Sequence, residues 1–270
     1  MDMQLTAAAT GKEKAAVRAK QQGLSGSTVK LIAIISMAID HTAAAVLGRI
    51  MSSQGMFTDT MNWSTSQYQL YQAYSYMRYI GRLGFPIFCF LLVEGFMHTH
   101  SKAKYAMRLG LFALISEIPF DLAFNGKVLE FGYQNVFFTL LIGLLVMIGI
   151  DWITKQESIP KWLHIVISLV MIVAGMWLAN FLKTDYSAIG IVCIMVLFLL
   201  RNHRTAQVLA GAVSFAWELT APAAFVPIAL YNGTRGIKLK YFFYIFYPAH
   251  LLILYLISCA MGLGSSVLPM

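Results

Sequence analysis

Val29-Lys-Leu-Ile-Ala-Ile-Ile-Ser-Met-Ala-Ile-Asp-His-Thr-Ala-Ala-Ala-Val-Leu-Gly-Arg-Ile50 is a stretch of mainly apolar chain preceded by a basic segment carrying Lys12, Lys14, Arg18 and Lys20. A helix needs about 20 such residues to cross a hydrocarbon core roughly 30 Å thick, so this stretch is expected to span a bilayer. The rest of the chain agrees: 59% of its 270 residues are apolar and 12% are charged, where soluble domains carry about 25% charge. The apolar runs lack the two-residue alternation of barrel strands. The fold expected is therefore all-α, a polytopic transmembrane helical bundle.

Outward from the first span, residues 1–28 read as a basic cytoplasmic tail without the apolar core of a signal peptide, and residues 29–270 as one transmembrane domain. The positive flank places the N-terminus in the cytoplasm of a bacterial inner membrane. Residues 51–77, with Asp59 their sole charge, read as an outer loop. Further spans are expected near 79–98, 105–124, 136–152, 163–182, 188–200 and 241–261. Residues 205–232, interrupted by Glu218 and Pro222, form either one tilted helix or a tight two-helix hairpin. Eight to ten spans result, with nine favoured by charge bias. The net charge of +8 lies in the tail and short loops, a positive-inside pattern that implies a lipid bilayer partner and no nucleic acid. Cys89, Cys193 and Cys259 each sit inside an apolar run and read as packing residues.

An ionisable residue inside a span costs about 2.5–3.5 kcal/mol on insertion scales, so each one needs a partner, a wet cavity or a function. Lys30 and His41 are eleven positions apart, which at about 100° per residue brings them within roughly 20° of one helix face, His41 lying about 16 Å deeper. Histidine exchanges a proton near neutral pH and is a natural general base; the neighbouring Asp40 either stabilises its charged form or makes a purely structural pair with it. In the second span Glu94 and His98 are i,i+4 neighbours. Arg82, loosened by Pro86, either binds an anionic group or pairs with Glu117 or Asp121. His100 and His164 read as loop or interface residues. His250 follows Pro248 inside an apolar run, behind an aromatic cluster that suits an interfacial belt.

The segment Lys30 to His41 closely resembles the TraX family, membrane proteins associated with acetylation of conjugative pilin. The resemblance continues in Gly81-Arg-Leu-Gly-Phe-Pro-Ile-Phe88, Asn135-Val-Phe-Phe-Thr139, Asp185-Tyr-Ser-Ala-Ile-Gly190, Tyr231-Asn-Gly-Thr-Arg-Gly236 and Phe246-Tyr-Pro-Ala-His-Leu251. It covers most of the chain from Lys30 to about Leu254. The family looks related to a wider group of transmembrane acyltransferases, including acyltransferase family 3 and the heparan-glucosaminide acetyltransferases. There a polar or basic residue, ten further residues and an essential histidine mark the first helix; here Lys30 stands where arginine is commoner.

The resemblance implies transfer of an acetyl group from cytoplasmic acetyl-CoA, a cosubstrate and not a bound cofactor, to a pilin N-terminus or a glycan hydroxyl. It implies no metal. His41 and Asp40 are the expected catalytic residues. Lys30, Arg82, Glu94, His98, Asn135, Asp185, Tyr186, Tyr247 and His250 are the expected substrate-binding residues, Lys30 and Arg82 holding CoA phosphates. Two other classes fit the residues alone: a transporter or flippase that relays protons through buried Asp, Glu and His, and a non-catalytic conjugation or assembly protein.

Overall fold

The first helix begins where the sequence supplies a cap. Ser25 sits in extended backbone and its hydroxyl accepts the Thr28 N–H at 3.3 Å, satisfying one of the donors a helix start leaves open. In the computed structural model, which describes residues 23–58, 62–237 and 240–264, helix α1 runs from Gly26 to Ser53. Gly26–Thr42 is regular α-helix, Ala43–Leu47 is a π turn and Gly48–Ser53 is α-helix again. The π turn changes the helical register immediately beyond His41, a distortion that clusters at functional sites.

The remaining donors at the start of α1 go to a loop distant in sequence. Gly26 N–H and Ser27 N–H reach the Thr234 and Arg235 carbonyls at 2.7 and 3.1 Å, and Leu24 exchanges backbone bonds with Leu230 and Asn232 at 2.8 and 3.0 Å. Gly236, at φ +67°, closes this contact; a Cβ there would stand 2.1 Å from the Ser27 hydroxyl oxygen. Residues 23–28, expected in the tail, thus belong to the bundle. Residues 1–22 lie outside the described ones, as does Asp59.

Helix α2 (Thr65–Gly81) and helix α3 (Gly84–His98) follow, joined by a turn at Arg82 and Leu83. The expected outer loop 51–77 therefore contains most of a helix. Ser64 and Gln67 start it with a reciprocal capping box, but its Tyr, Gln and Ser residues lack the apolar run by which spans are recognised. Together α2 and α3 cover 34 residues, about 51 Å at 1.5 Å each, more than a hydrocarbon core accommodates without steep tilt. Next come α4 (Lys102–Asn125), α5 (Val136–Ile153), α6 (Lys161–Phe181), α7 (Ser187–Leu199), α8 (Arg204–Ser214), a 3₁₀ turn (Ala221–Ala224), α9 (Phe225–Ala229) and α10 (Lys240–Ala260).

Among the described residues, five helical stretches are long and apolar enough to cross a membrane: 26–53, the 65–98 pair, 136–153, 161–181 and 242–260. The 24-residue α4 carries Lys102, Lys104, Arg108, Glu117 and Asp121, which lowers its apolarity, and α7 is only 13 residues long. Residues 205–232 do not form two full spans. Their helices are 11 and 5 residues long, about 16 and 8 Å. This follows from the breaks around Glu218 and Pro222, which divide the segment into pieces too short to cross.

Helix α1 packs against α2 and α3 on one side and α10 on another; α4 joins α10 to α5, and α5 leads to α6 and α7. The core is built from Phe90, Phe96, Leu144, Met147, Ile191, Ile194 and Phe198, all essentially buried. Helix α6 is the outermost element, with Trp162, Ile165, Leu169, Val173 and Trp177 exposed, a surface that hydrocarbon solvates and water does not. Arg49 locks the far end of α1. Fully buried, it donates to the Leu122 and Ala123 carbonyls in the last turn of α4 at 2.9 and 3.1 Å, and to those of Leu263 and Gly264 beyond α10 at 2.9 and 2.8 Å. A cation is favoured there because both helix ends present unpaired carbonyls.

Candidate active site

Asp40 and His41 are consecutive on α1, so their side chains leave the helix about 100° apart and serve different neighbours. His41 faces α10, where its Nδ1 lies 2.7 Å from His250 Nε2. The two ring planes are 6° apart with centroids at 5.0 Å, the nearly in-plane arrangement of an N–H···N bond. His250 Nδ1 in turn lies 2.7 Å from the Phe246 carbonyl oxygen, one helical turn back. A carbonyl only accepts, so His250 Nδ1 carries the proton. In a neutral ring His250 Nε2 then accepts, His41 Nδ1 must donate to it, and His41 Nε2 is left with its lone pair bare. Phe124 and Tyr247 pack edge-on against His41 at 5.5 and 5.8 Å and hold its orientation.

A cavity of about 540 Å³ lies among α1, α3, α4, α5, α10 and the loop at 231–235. Met37 and Tyr247, neighbours of His41, line it together with Phe88, Leu91, Phe137 and Leu140; toward the α1 N-terminus it is lined by Lys30, His98, His100, Arg108 and Arg235. Lys30 also sits over the Phe243 ring at 5.3 Å. Among the described residues, Lys30, Arg108 and Arg235 have no carboxylate salt-bridge partner within 4.0 Å. The cavity therefore has a cationic outer part and an apolar inner part that ends beside the histidine pair. Among the described residues, no group of three His, Cys, Asp or Glu side chains is placed to hold a metal ion.

On the other face of α1 a different environment forms. Arg78 contacts Asp40 at 2.5 Å and Arg82 contacts Glu218 at 2.9 Å. The Tyr133 hydroxyl donates to Asp185 at 2.5 Å, and Asp185 is within electrostatic reach of Asp40, Arg78 and Arg82. Burial pushes the Asp185 carboxyl, in the turn between α6 and α7, up to about 6, against the opposing pull of the Tyr133 bond. That turn is strained: Lys183, Tyr186 and Ser187 have φ of +52°, +63° and +42°, a region that side chains other than glycine seldom occupy. The turn presents Tyr186 to Arg82 and stacks its ring on Phe85 at 3.6 Å.

The profile of the TraX protein family matches residues 25–258, from the Ser25 cap to the last turns of α10. The chain belongs to the TraX family. A relative from Dichelobacter nodosus, described as a probable fimbrial assembly protein, FimC of serogroup H1, is 27% identical over 256 residues, covering 85% of this chain and 94% of its own length. No solved structure matches.

In this TraX protein the separated motifs meet around the two faces of α1. Gly81 packs directly on Asp40, since a Cβ there would stand 2.2 Å from the Asp40 Cβ and Oδ1 atoms. Asn135 caps α5 by accepting Phe137 N–H at 3.0 Å, and its amide donates to the Ala113 carbonyl at 2.8 Å and to Glu117. Tyr231 meets Glu94 through its hydroxyl, and His98 Nδ1 lies 2.8 Å from the Glu94 backbone oxygen, so these three line the outer cavity. His164 lies 3.1 Å from the Gln156 carbonyl, a loop contact.

Three expectations are corrected. Asp40 does not bond His41; it faces Arg78, and His250 takes the orienting place. Arg82 pairs with Glu218 and not with Glu117 or Asp121, because those acids turn toward the Asn135 cap and toward the Glu130 N–H at 2.7 Å. Arg82 also stands apart from the cavity, whose cations beside Lys30 are Arg108 and Arg235. Glu218 was legible only as a helix break and Tyr133 carried no motif, so sequence alone left both unassigned.

Proposed function

We propose that this TraX protein is a membrane-embedded acetyltransferase in which His41 is the general base, His250 its positioning partner and the basic-mouthed cavity the site of acetyl-CoA. The observation that carries the reading is the hydrogen-bond chain Phe246 carbonyl, His250, His41, which leaves a bare Nε2 on a histidine packed against Tyr247, a residue of the cavity lining. His41 Nε2 takes the proton of an acceptor amine or hydroxyl as that atom attacks the thioester carbonyl. The tetrahedral intermediate collapses, the C–S bond breaks, and the CoA thiolate leaves with the proton from His41. The imidazolium formed between these steps keeps its Nδ1–H bond to His250, so its charge is met without movement. Lys30, Arg108 and Arg235 suit the CoA phosphates, and the apolar inner part suits the pantetheine arm.

With the positive flank of α1 inside, the cavity mouth opens to the cytoplasm of a bacterial inner membrane and the Asp40 face turns toward the outer side. The acceptor is then a pilin N-terminus or a surface glycan. The description of the FimC relative favours a second reading, a fimbrial assembly protein without catalysis. Radiolabelled acetyl-CoA added to the protein in nanodiscs separates the two. The enzyme reading expects acetyl-CoA consumption that is lost in His41→Ala; equal consumption by both proteins, or binding of none by folded wild type, contradicts it.

A further inference from the structure

The face of α1 that carries Asp40 is not a closed set of ion pairs. Three carboxyls, Asp40, Asp185 and Glu218, stand against two guanidiniums, Arg78 and Arg82, all within electrostatic reach of Glu218. Within this cluster, two carboxylate oxygens are buried without a hydrogen-bond partner among the described residues: Asp40 Oδ1 and Glu218 Oε2. The Glu218 side chain is only 9% exposed, while Arg78 and Arg82 are 25% and 30% exposed and form the open edge of the cluster. A buried carboxylate oxygen left without a donor is costly, and both arginines already bond the opposite oxygen of each acid. The shortage is of donors, and the excess is of negative charge.

We propose that this cluster is a binding subsite for a ligand end group bearing N–H or O–H donors, held by Glu218 Oε2 with the Asp40 charge beside it, and with Glu218 the specificity-determining residue. It rests on the acetyltransfer reading only for its role: within that reading it receives the acceptor's end group on one face of α1, and that group then leaves it to meet His41 and the thioester on the other face. The shared chemistry is the donor-bearing end, and an α-ammonium and a sugar hydroxyl are its two sources. An acyl-capped amine has lost most of that donor capacity and its charge, so the product binds less well than the acceptor and leaves.

The test is equilibrium binding to the whole protein in nanodiscs, without acetyl-CoA, of three probes: a short alanine peptide amide with a free α-amine, its N-acetylated form, and a methyl glucoside. Glu218→Gln keeps an oxygen for Arg82 and places an amide NH₂ where Oε2 stood, so the sense of the vacant bond is reversed at nearly constant shape. Expected is binding of the free-amine peptide or the glucoside to wild type, weakened at least about tenfold in Glu218→Gln and in Asp40→Asn, with the acetylated peptide weak throughout. Both variants are first shown to be monodisperse and to melt as wild type does. Equal affinity in wild type and Glu218→Gln, or no binding of either donor probe to folded wild type, overturns the subsite. Acetyl-CoA consumption is read separately: probe binding that depends on Glu218 without consumption keeps the subsite and removes the enzyme, whereas consumption with Glu218-independent binding does the reverse.

Discussion

The two faces of α1 differ in how they hold polar groups inside a membrane. Toward α10, Lys30 lines a cavity of aromatic and aliphatic side chains, His41 packs against its lining residue Tyr247, and the polar chain there consists of two imidazoles and a backbone carbonyl. Toward α2, Asp40 enters a cluster of opposed charges bounded by a strained turn. Neutral hydrogen bonds fix a tautomer and leave a reactive lone pair; ion pairs fix position and leave charge to recognise a ligand. Neighbouring residues thus do different work because the helix separates them by about 100°.

The sharpest way to break this contrast is at His41. Removing a general base costs about 10²–10⁴ in rate, so His41→Ala should lose acetyl transfer by that factor while the purified protein melts close to wild type. Retained turnover would show that the cavity face is not catalytic. On the opposite face Gly81→Ala should act through structure, because its Cβ would occupy the place of the Asp40 carboxylate. A loss of roughly 2 kcal/mol, within the usual range for overpacking, is expected in detergent melts; an unchanged melting temperature would mean that α2 is free to move away from α1. His250→Ala should sit between the extremes, slowing transfer roughly 10- to 100-fold by freeing the tautomer of a base that remains present. Kinetics at saturating acetyl-CoA check this, and an undiminished rate would remove His250 from the mechanism. Smallest is Lys30→Met, expected to raise the acetyl-CoA KM about tenfold with little change in kcat, since Arg108 and Arg235 remain at the mouth.

Much of the α10-facing side was legible in advance. The apolar run fixed α1 as a span, and the eleven-residue spacing placed Lys30 and His41 on one face. The link to His250 was not, because 209 residues separate the rings and no periodicity connects two helices. Charged pairs were least legible: Arg82 had candidate acids on α4, yet the partner came from a loop whose sequence showed only broken helix. Arg49 escaped notice for another reason. Its four acceptors are backbone carbonyls, which every residue has and no residue type advertises. Helix α2 was hidden because capping and polar side chains build it where hydropathy reports a loop.

The most direct test of the reactive tautomer is solid-state ¹⁵N NMR of histidine-labelled protein in lipid at neutral pH, with His41 signals assigned by their loss in His41→Ala. Expected is a protonated Nδ1 coupled across a hydrogen bond to His250 Nε2, and an unprotonated Nε2. A His41 that carries its proton on Nε2, or that shows no coupling to His250, would contradict the base assignment at its root.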